Sequence, residues 1–242
     1  MQVFGKSDIG LKRPSNQDCF AYSKVNEDIL WAVVCDGMGG INGGDVASNL
    51  AVKSIQEFFE QNYLSDLSPE DVENLLIKAV QKANFDVFSM AQKDSNLSGM
   101  GTTVVLVAVY NDKIHVANVG DSRAYLISEN MITQLTVDHS MVQELLNEGE
   151  ITHEEAKVHP NKNIITRALG LGKNVEIDYS QKSKQPNDAV IICTDGLTNY
   201  FEQNEILDCF LQKKGTELVD EFISEANERG GSDNITVVVL SN

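Results

Sequence analysis

Apolar residues follow two different rhythms along this chain. Short runs rich in Val, Ile and Leu are bounded by Gly, Asn or Asp, which is typical of buried β-strands. Longer segments repeat their apolar residues every three or four positions, which is typical of helices with one face packed on a core. The predicted strands cover residues 29–35, 102–110, 113–118, 123–128, 189–193 and 235–240, and the predicted helices cover 45–62, 69–92, 202–212 and 216–228.

The strands in the middle of the chain follow one another through short connections. Asn111-Asp112 separates two of them as a hairpin-like turn, and Gly120-Asp121-Ser122 forms another tight connection. Short connections join antiparallel strands, whereas parallel strands need a long crossover. The pattern therefore predicts an α+β fold in which helices cover antiparallel sheets. Since no repeat or Pro/Gly-rich linker interrupts it, we expect one domain over residues 1–242.

Residues 138–169 do not share this pattern. They hold three of the four histidines and no clear strand. Long irregular segments inside compact domains are often functional. We predict that this segment is a helical excursion, or flap, that covers a functional site.

The charge and cysteine content of the chain limit the classes of partner that it can bind. Asp and Glu number 36 against 19 Lys and Arg, which leaves a formal net charge of −17. Such a chain is a poor partner for nucleic acid or an anionic membrane and a good one for cations, although acidic surfaces often serve only solubility. Cys19, Cys35, Cys193 and Cys209 are too far apart to indicate a zinc site or disulfide scaffold. With no membrane-spanning apolar run and no signal-peptide pattern, a cytoplasmic location is expected.

Four aspartates stand where apolar runs end or begin, beside glycine or another small residue. They are Asp36, Asp121, Asp195 and Asp233. One Asp-Gly pair is usually only a turn, but four such positions would bring carboxylates to the rim of a buried sheet, where cations must offset their repulsion. Oxygen ligands without His or Cys favour Mg²⁺ or Mn²⁺, and pairs of these ions serve phosphoryl chemistry.

A phosphate substrate would also need a cationic side chain. Arg13 can form a two-pronged contact with phosphate oxygens, and Asp18, five residues further on, can reach the metal layer. An Arg near an Asp is most often a surface ion pair of little energetic value. The interest of Arg13 comes from the aspartates that accompany it.

Eight short motifs, each weak alone, occur in order over nearly the whole chain. They are RPSNQD at 13–18, DGMGG at 36–40, GMGTT at 99–103, GDSRA at 120–124, LTVDHS at 135–140, TRALG at 166–170, TDGLTN at 194–199 and SDNITVVV at 232–239. Together they resemble the metal-dependent protein serine/threonine phosphatases, the PPM or type 2C family. The compact length and the DGMGG form resemble the bacterial branch.

The resemblance implies a four-layer αββα sandwich of two antiparallel sheets flanked by helices. It also implies a core site for two Mn²⁺ or Mg²⁺ ions, with a third ion as an option. Asp36 would bridge the two core ions, the Gly37 carbonyl would complete one of them, and Asp195 and Asp233 would hold the other. Asp18 would act through bound water, and Asp121 with Asp195 resembles the third, weaker site.

The implied reaction is hydrolysis of phosphoserine and phosphothreonine in proteins. A metal-activated water would attack phosphorus directly, without a phosphoenzyme intermediate. Arg13 would bind the phosphate, so that Arg13 and Asp36 are the candidate catalytic residues. Bacterial relatives oppose a Ser/Thr kinase, so the implied partners are a kinase and its phosphorylated substrates, and a monomer is expected. Substrate choice would reside in the flap, whose acidic stretch at 144–155 would disfavour acidic peptides.

Two departures from the family pattern leave questions open. Members often carry a proton-donating His near the bridging Asp, where this chain has Met38 and Ile41. The proton donor is then either a metal-bound water or a flap histidine, His139 or His159. Gln17 replaces a Glu found in other members, and we expect it to tune the site without abolishing it.

Three functions compete at this point. The first is an active phosphatase, and the second is a pseudophosphatase that binds phosphoproteins without turnover. Retention of Arg13 and all five aspartates favours the first. The third, a phosphoesterase for nucleotides or small phosphates, lacks a base-stacking aromatic cluster or a P-loop. Met100, Thr102 and Thr103 are assigned to packing alone.

Overall fold

Eleven strands and seven α-helices make up the described chain. The computed structural model describes residues 1–24, 29–62 and 67–242, and the side chains at 40–42 and 69 lie outside that description. The strands are β1 (Gln2–Asp8), β2 (Asp18–Lys24), β3 (Ile29–Met38), β4 (Gly101–Thr102), β5 (Val104–Tyr110), β6 (Lys113–Val119), β7 (Arg123–Ser128), β8 (Met131–Gln134), β9 (Asp178–Ser183), β10 (Ala189–Cys193) and β11 (Ile235–Ser241). The helices are α1 (Gly40–Asn62), α2 (Pro69–Lys93), α3 (Met141–Glu148), α4 (His153–Val158), α5 (Asp195–Thr198), α6 (Gln203–Gln212) and α7 (Gly215–Glu228).

The strands form two sheets in which every pairing is antiparallel. One sheet has the order β1-β11-β10-β7-β8, and the other has the order β2-β3-β5-β6-β9, with β4 paired to β3. The tight connection at Gly120 therefore carries the chain from one sheet to the other, while Asn111-Asp112 closes a true hairpin. The predicted α+β class is confirmed.

Alternation along β3 shows how the layers are held together. Trp31 and Val33 pack with α1 and α2, whereas Ala32 and Val34 face the other sheet. Because both faces of the strand are buried, it reads as a continuous apolar run and not as an alternating one. A separate cluster fills the space between the other sheet and helices α5 to α7. Three apolar layers thus separate four layers of secondary structure, as the αββα prediction requires.

Helix α1 begins five residues before the predicted start at residue 45. Gly43 and Gly44 lie in its first turns, and glycine normally disfavours helix. A β-carbon on Gly43 would lie 3.1 Å from Cβ of Met100, and one on Gly44 would lie 2.6 Å from the Gly37 carbonyl oxygen. Close packing therefore requires glycine here and outweighs its low helix propensity.

The flap is helical, as predicted. It contains α3 and α4, which begin at side-chain caps from Ser140 and Thr152. Cys35 and Cys193 are free thiols that are fully buried in the core. Among the described residues, each helix is too short or too polar to cross a bilayer.

Candidate metal centre

The predicted site residues come together at one end of the two sheets. Asp36 lies near the end of β3 and pairs in the ladder with Asp18, the first residue of β2. Asp195 opens α5 just after β10, Asp233 lies just before the start of β11, and Asp121 lies just after the end of β6. A cleft of about 460 Å³ opens here, and its walls include Arg13, Asp36, Gly37, Asp121, Asp195 and Asp233.

The backbone around Asp36 is held by two threonines. The Asp36 amide donates to Oγ1 of Thr103 at 2.9 Å, and Oγ1 of Thr102 donates to the Asp36 carbonyl at 2.8 Å. Thr103 also lies 2.8 Å from Oγ of Ser122, beside the turn that carries Asp121. The assignment of Thr102 and Thr103 to packing alone was wrong, because their hydroxyls connect two of the carboxylate positions.

Asp18 is buried next to Asp36 with one oxygen satisfied and one not. Its Oδ2 accepts from Oγ1 of Thr194 at 2.9 Å and from Oγ1 of Thr236 at 2.7 Å. Its Oδ1 is shielded from solvent and has no hydrogen-bond partner among the described residues. An ionised carboxylate left in this state is unfavourable, so this oxygen fits a water or a cation.

Asp195 is fixed by the short helix that it opens. Nδ2 of Asn199 donates to Asp195 Oδ2 at 3.1 Å, while Oδ1 has no donor in the described part of the chain. The Asp36 side chain interacts with Asp195 and partly offsets the rise that burial causes in the Asp195 pKa. Gly196 lets this helix start touch β11, since a β-carbon there would lie 1.8 Å from the Asn234 carbonyl oxygen.

Arg13 reaches the centre from the connection between β1 and β2. Its Nη2 lies 2.6 Å from Oδ2 of Asp233. The neighbouring Asn234 holds this connection in place: its Nδ2 donates to the carbonyls of Ile9 and Ser15 at 2.9 and 3.0 Å. The predicted phosphate-binding cation is therefore positioned at the rim of the same cleft.

Burial and mutual repulsion raise the pKa of four carboxyls. Burial is the largest cause in each case, and it raises the pKa of Asp18 to about 7 and that of Asp121 to about 8. The pKa of Asp36 is raised well above its usual range, with repulsion from Asp18 as the next cause, and the pKa of Asp195 is raised by burial and by Asp233. Without cations, burial and mutual repulsion therefore disfavour the ionised form of these groups.

The donor set suits a hydrated divalent ion. Nowhere in residues 1–24, 29–62 and 67–242 do three or more His, Cys, Asp or Glu side chains form a ready-made cage around one ion. Mg²⁺ and Mn²⁺ do not need such a cage, because they prefer oxygen ligands, and Mg²⁺ in particular is held by one or two carboxylates and keeps several waters. Buried carboxylate oxygens without donors, beside a roomy polar cleft, therefore fit these ions.

The positions at which a proton donor was considered differ in their surroundings. Met38 lines the cleft, and the side chain of Ile41 lies outside the described residues. Nδ1 of His139 accepts from the Gly120 amide at 2.9 Å, and its Nε2 faces Asp178. Nδ1 of His159 accepts from the Asn161 amide at 3.2 Å and caps its local turn. These contacts give both rings a structural role.

Several residues that organise the centre were not predicted. Thr194 and Asn199 flank Asp195 within TDGLTN, so their spacing from the aspartate is a signal that sequence reasoning could have used. Asn234, next to Asp233, could have been found in the same way. Thr236 could not, because its role depends on β11 lying beside β2 in space.

A second groove of about 470 Å³ runs from the centre beneath the flap. It shares Asp121, Asn163 and Asp195 with the cleft. Across it, Nζ of Lys157 on α4 lies 2.7 Å from Oε1 of Glu202. The groove therefore extends the cleft along polar side chains of the flap.

Comparison with known proteins agrees with this geometry. The family model described as Protein phosphatase 2C matches residues 5–235. Serine/threonine phosphatase stp of Listeria welshimeri is 40% identical over 236 residues, which are 97% of this chain and 93% of that protein.

Two solved structures are similar over nearly the whole chain. Serine/threonine phosphatase Stp1 from Staphylococcus aureus has a TM-score of 0.92 at 35% identity, covering 100% of this chain and 94% of that one. The catalytic domain of PstP, solved in complex with two manganese ions, has a TM-score of 0.85 at 31% identity, covering 98% and 96%. This chain belongs to the protein phosphatase 2C family and is a protein-serine/threonine phosphatase of the bacterial PPM type.

Proposed function

We propose that this phosphatase depends on Mn²⁺ or Mg²⁺ held by Asp18, Asp36, Gly37, Asp121, Asp195 and Asp233, and that Arg13 binds the substrate phosphate. The observation that carries the proposal is the group of buried carboxyls at one end of the sheets, where Asp18 and Asp195 each have a buried oxygen without a donor among the described residues. The two manganese ions in PstP support the choice of metal. Two core ions are proposed, with Asp121 and Asp195 available to a third.

Within the centre, the chain's own groups have separate tasks. Asp36 pairs with Asp18 in the ladder and interacts with Asp195, so it would help to hold both core ions, with the Gly37 carbonyl beside it. One Asp18 oxygen has no donor among the residues that the structure describes, and we assign it to a bound water. Bound ions would supply positive charge against the phosphate and lower the pKa of water so that it can attack phosphorus directly.

Arg13 is proposed to exchange one anion for another. In this structure its guanidinium contacts Asp233. A phosphate monoester offers the same guanidinium two oxygens at once, which is the stronger arrangement. Moving Arg13 to phosphate would also free Asp233 Oδ2 for a cation. Substrate binding and completion of the metal centre are thereby favoured together.

The cellular setting follows from the reaction. A phosphoserine or phosphothreonine protein must be made by a kinase, so we propose that the enzyme opposes a Ser/Thr kinase and acts on that kinase's substrates. We place it in the cytoplasm and as a monomer, whose large exposed apolar side chains, such as Ile9, Phe85 and Leu211, are spread over different elements. The pseudophosphatase alternative gains no support from the geometry.

Replacing Arg13 with Ala tests the phosphate-binding role. We expect kcat/KM for a phosphothreonine peptide to fall by about 100-fold or more, because a charged donor to the transferring group is lost. Lys12→Ala is the matched control, since Lys12 is an exposed neighbour of the same charge. Steady-state kinetics at saturating Mn²⁺ measure both. Equal rates for the two variants would contradict the role of Arg13.

A further inference from the structure

His139 lies at the base of the flap and is bound to the turn that carries Asp121. Its backbone amide donates to the Gly120 carbonyl at 2.9 Å, and the Gly120 amide donates to its Nδ1 at 2.9 Å. The residue is 7% exposed. Because Nδ1 accepts from an amide, the network assigns the ring proton to Nε2.

The other side of the ring faces a charged pair. Nε2 lies 3.2 Å from Oδ2 of Asp178, and Nη1 of Arg167 lies 2.6 Å from Oδ1 of the same carboxylate. Nη1 of Arg167 is also 3.0 Å from Nε2 of His139. The nitrogen atoms of Arg167 and His139, both donors, can lie this close to each other because the Asp178 carboxylate accepts from both. The ring therefore connects the metal-side turn to the start of β9.

The main chain of His139 also joins the two ends of the flap segment. Its carbonyl accepts from the Thr166 amide at 2.8 Å, and the next residue, Ser140, forms a β-bridge with Ile165. The Met141 amide then donates to the Ile164 carbonyl at 2.9 Å. The two stems of the flap, at residues 138–141 and 164–166, thus meet at His139.

The turn that His139 holds has little room to move. Gly120 has φ of 108°, and a β-carbon there would lie 2.6 Å from Cγ2 of Thr103. Thr103 in turn accepts from the Asp36 amide. The Asp121 turn is therefore held between Thr103 on the metal side and His139 on the flap side.

We propose that His139 is a positioning residue that couples the order of the flap stems to cation binding at Asp121. The inference rests on the proposed function, because it uses Asp121 as a cation ligand. A displaced His139 releases the Gly120 amide and the Thr166 amide together, so Asp121 and the flap stems lose their fixed positions at the same time. Side chains that orient a metal ligand in this way contribute to metal affinity without touching the ion.

Two variants distinguish the role of the Nδ1 acceptor of His139 from the role of the rest of its ring. His139→Asn keeps an oxygen near the position of Nδ1, where the Gly120 amide can still find it. His139→Gln moves its amide outward toward Asp178 and leaves the Gly120 amide without that acceptor. The probe is Mn²⁺ alone, added to metal-stripped protein, with calorimetric titration and amide hydrogen exchange at Thr166 and Met141 as readouts.

We expect Mn²⁺ to slow exchange at both amides in the wild type and in His139→Asn. In His139→Gln this response should be lost, and the Kd of the weakest Mn²⁺ site should rise by about 10-fold while tighter sites stay within about 2-fold. Wild-type behaviour of His139→Gln would overturn the inference. Equal losses in the two variants would also overturn it, because ring volume and not the Nδ1 acceptor would then matter.

Asp121→Asn separates this inference from the proposed function. If that variant keeps every Mn²⁺ site and the exchange response, Asp121 is not a ligand, so the proposed ion site at Asp121 is wrong and the inference fails with it. If it loses the weakest site while His139→Gln does not, only the inference about His139 fails. Should His139→Gln not fold, Asp178→Ala removes the outer partner of the ring, and a loss of exchange protection of about 3-fold is expected there. An unchanged response in Asp178→Ala would count against the coupling.

Discussion

The two carboxylate oxygens of Asp18 differ in their hydrogen bonding. Thr194 and Thr236 donate to one of its oxygens, while the other is buried without a partner in the described chain. Burial and the nearby carboxylates Asp195 and Asp233 raise its pKa to about 7 despite these two donors. The arrangement is costly without a cation and favourable with one, which is how a protein prepares a metal site at the expense of its own stability.

The metal-free enzyme should therefore lose stability as the pH rises. The raised pKa values mean that the folded state holds protons that the unfolded chain has released above its ordinary pKa of about 3.9. The resulting stabilisation is complete below about pH 4 and is lost as the pH passes through about 7 for Asp18 and about 8 for Asp121. We expect Tm to be roughly 5 °C lower at pH 8 than at pH 5, and Mn²⁺ to reverse the loss.

Thermal unfolding followed by fluorescence of Trp31, the one tryptophan of the chain, measures this effect. Asp18→Asn is the control, because it removes one titrating group and should flatten the pH dependence. A slope that is unchanged in Asp18→Asn, or a Tm that rises with pH in the metal-free wild type, would show that the carboxyls do not repel one another as described.

Residue identity at the site could be predicted where local sequence carries the signal. Asp36 and Asp195 follow apolar strands and precede glycine, so both their position and their chemistry are visible in the sequence. The hydroxyls that hold Asp18 come from Thr194 and Thr236, far away in the chain. No spacing rule links them to residue 18, and only the pairing of strands brings them together.

At the scale of elements, the predicted and unpredicted strands differ in where they lie. The strands β1, β2, β8 and β9 were not predicted, and they are the four edge strands of the two sheets. Edge strands are half-exposed, so their apolar signal is diluted, and polar edges also guard against unwanted strand pairing. The central strands are buried on both faces, which is why their bounds were predicted within a few residues.

The contact between α5 and β11 sets the distance between Asp195 and Asp233, and Gly196 permits it. A β-carbon at Gly196 meets the backbone oxygen of Asn234, which cannot rotate away as a side chain could. Gly196→Ala should lower the free energy of unfolding by about 1–3 kcal/mol or more, as overpacking does in a rigid core. Urea unfolding followed by Trp31 fluorescence measures it.

Gly172→Ala is the matched control for this substitution. Its added β-carbon would meet only Asn174 O, at an ordinary 3.4 Å. Its unfolding free energy should stay within about 0.5 kcal/mol of the wild type. If Gly196→Ala were as stable as Gly172→Ala, the junction of α5 with β11 would be looser than the structure indicates.

Across the whole molecule, we expect the formal charge of −17 and the acidic stretch of the flap to repel acidic substrates before they bind. A phosphopeptide with basic flanks should be hydrolysed about 10-fold more efficiently than an acidic one of equal length at low salt. The difference should shrink at high ionic strength, because exposed charges are screened. Values of kcat/KM measured across a salt series give the answer, and equal rates for the two peptides would contradict the role of charge.

Replacing three glutamates with glutamine, in two separate sets, distinguishes the effect of charge on the flap from the effect of net charge on substrate preference. One set of exposed glutamates lies on the flap: Glu144, Glu148 and Glu150. The control set is exposed on helices α1 and α2, away from the flap segment: Glu60, Glu70 and Glu73. Both triple variants change the net charge by the same amount. If the flap selects substrates, only the first set reduces the preference for basic peptides.

We propose that catalysis depends on divalent cations held by the buried carboxylates. This dependence is tested by hydrolysis of a phosphothreonine peptide by metal-stripped protein during titration with Mn²⁺, repeated with Asp195→Asn and with Asp208→Asn, a charge-matched change at an exposed position on α6. We expect activity to appear only with Mn²⁺, to fall in Asp195→Asn by about 100-fold or more, and to survive in Asp208→Asn. Activity that persists without metal, or that is equal in the two variants, would contradict it.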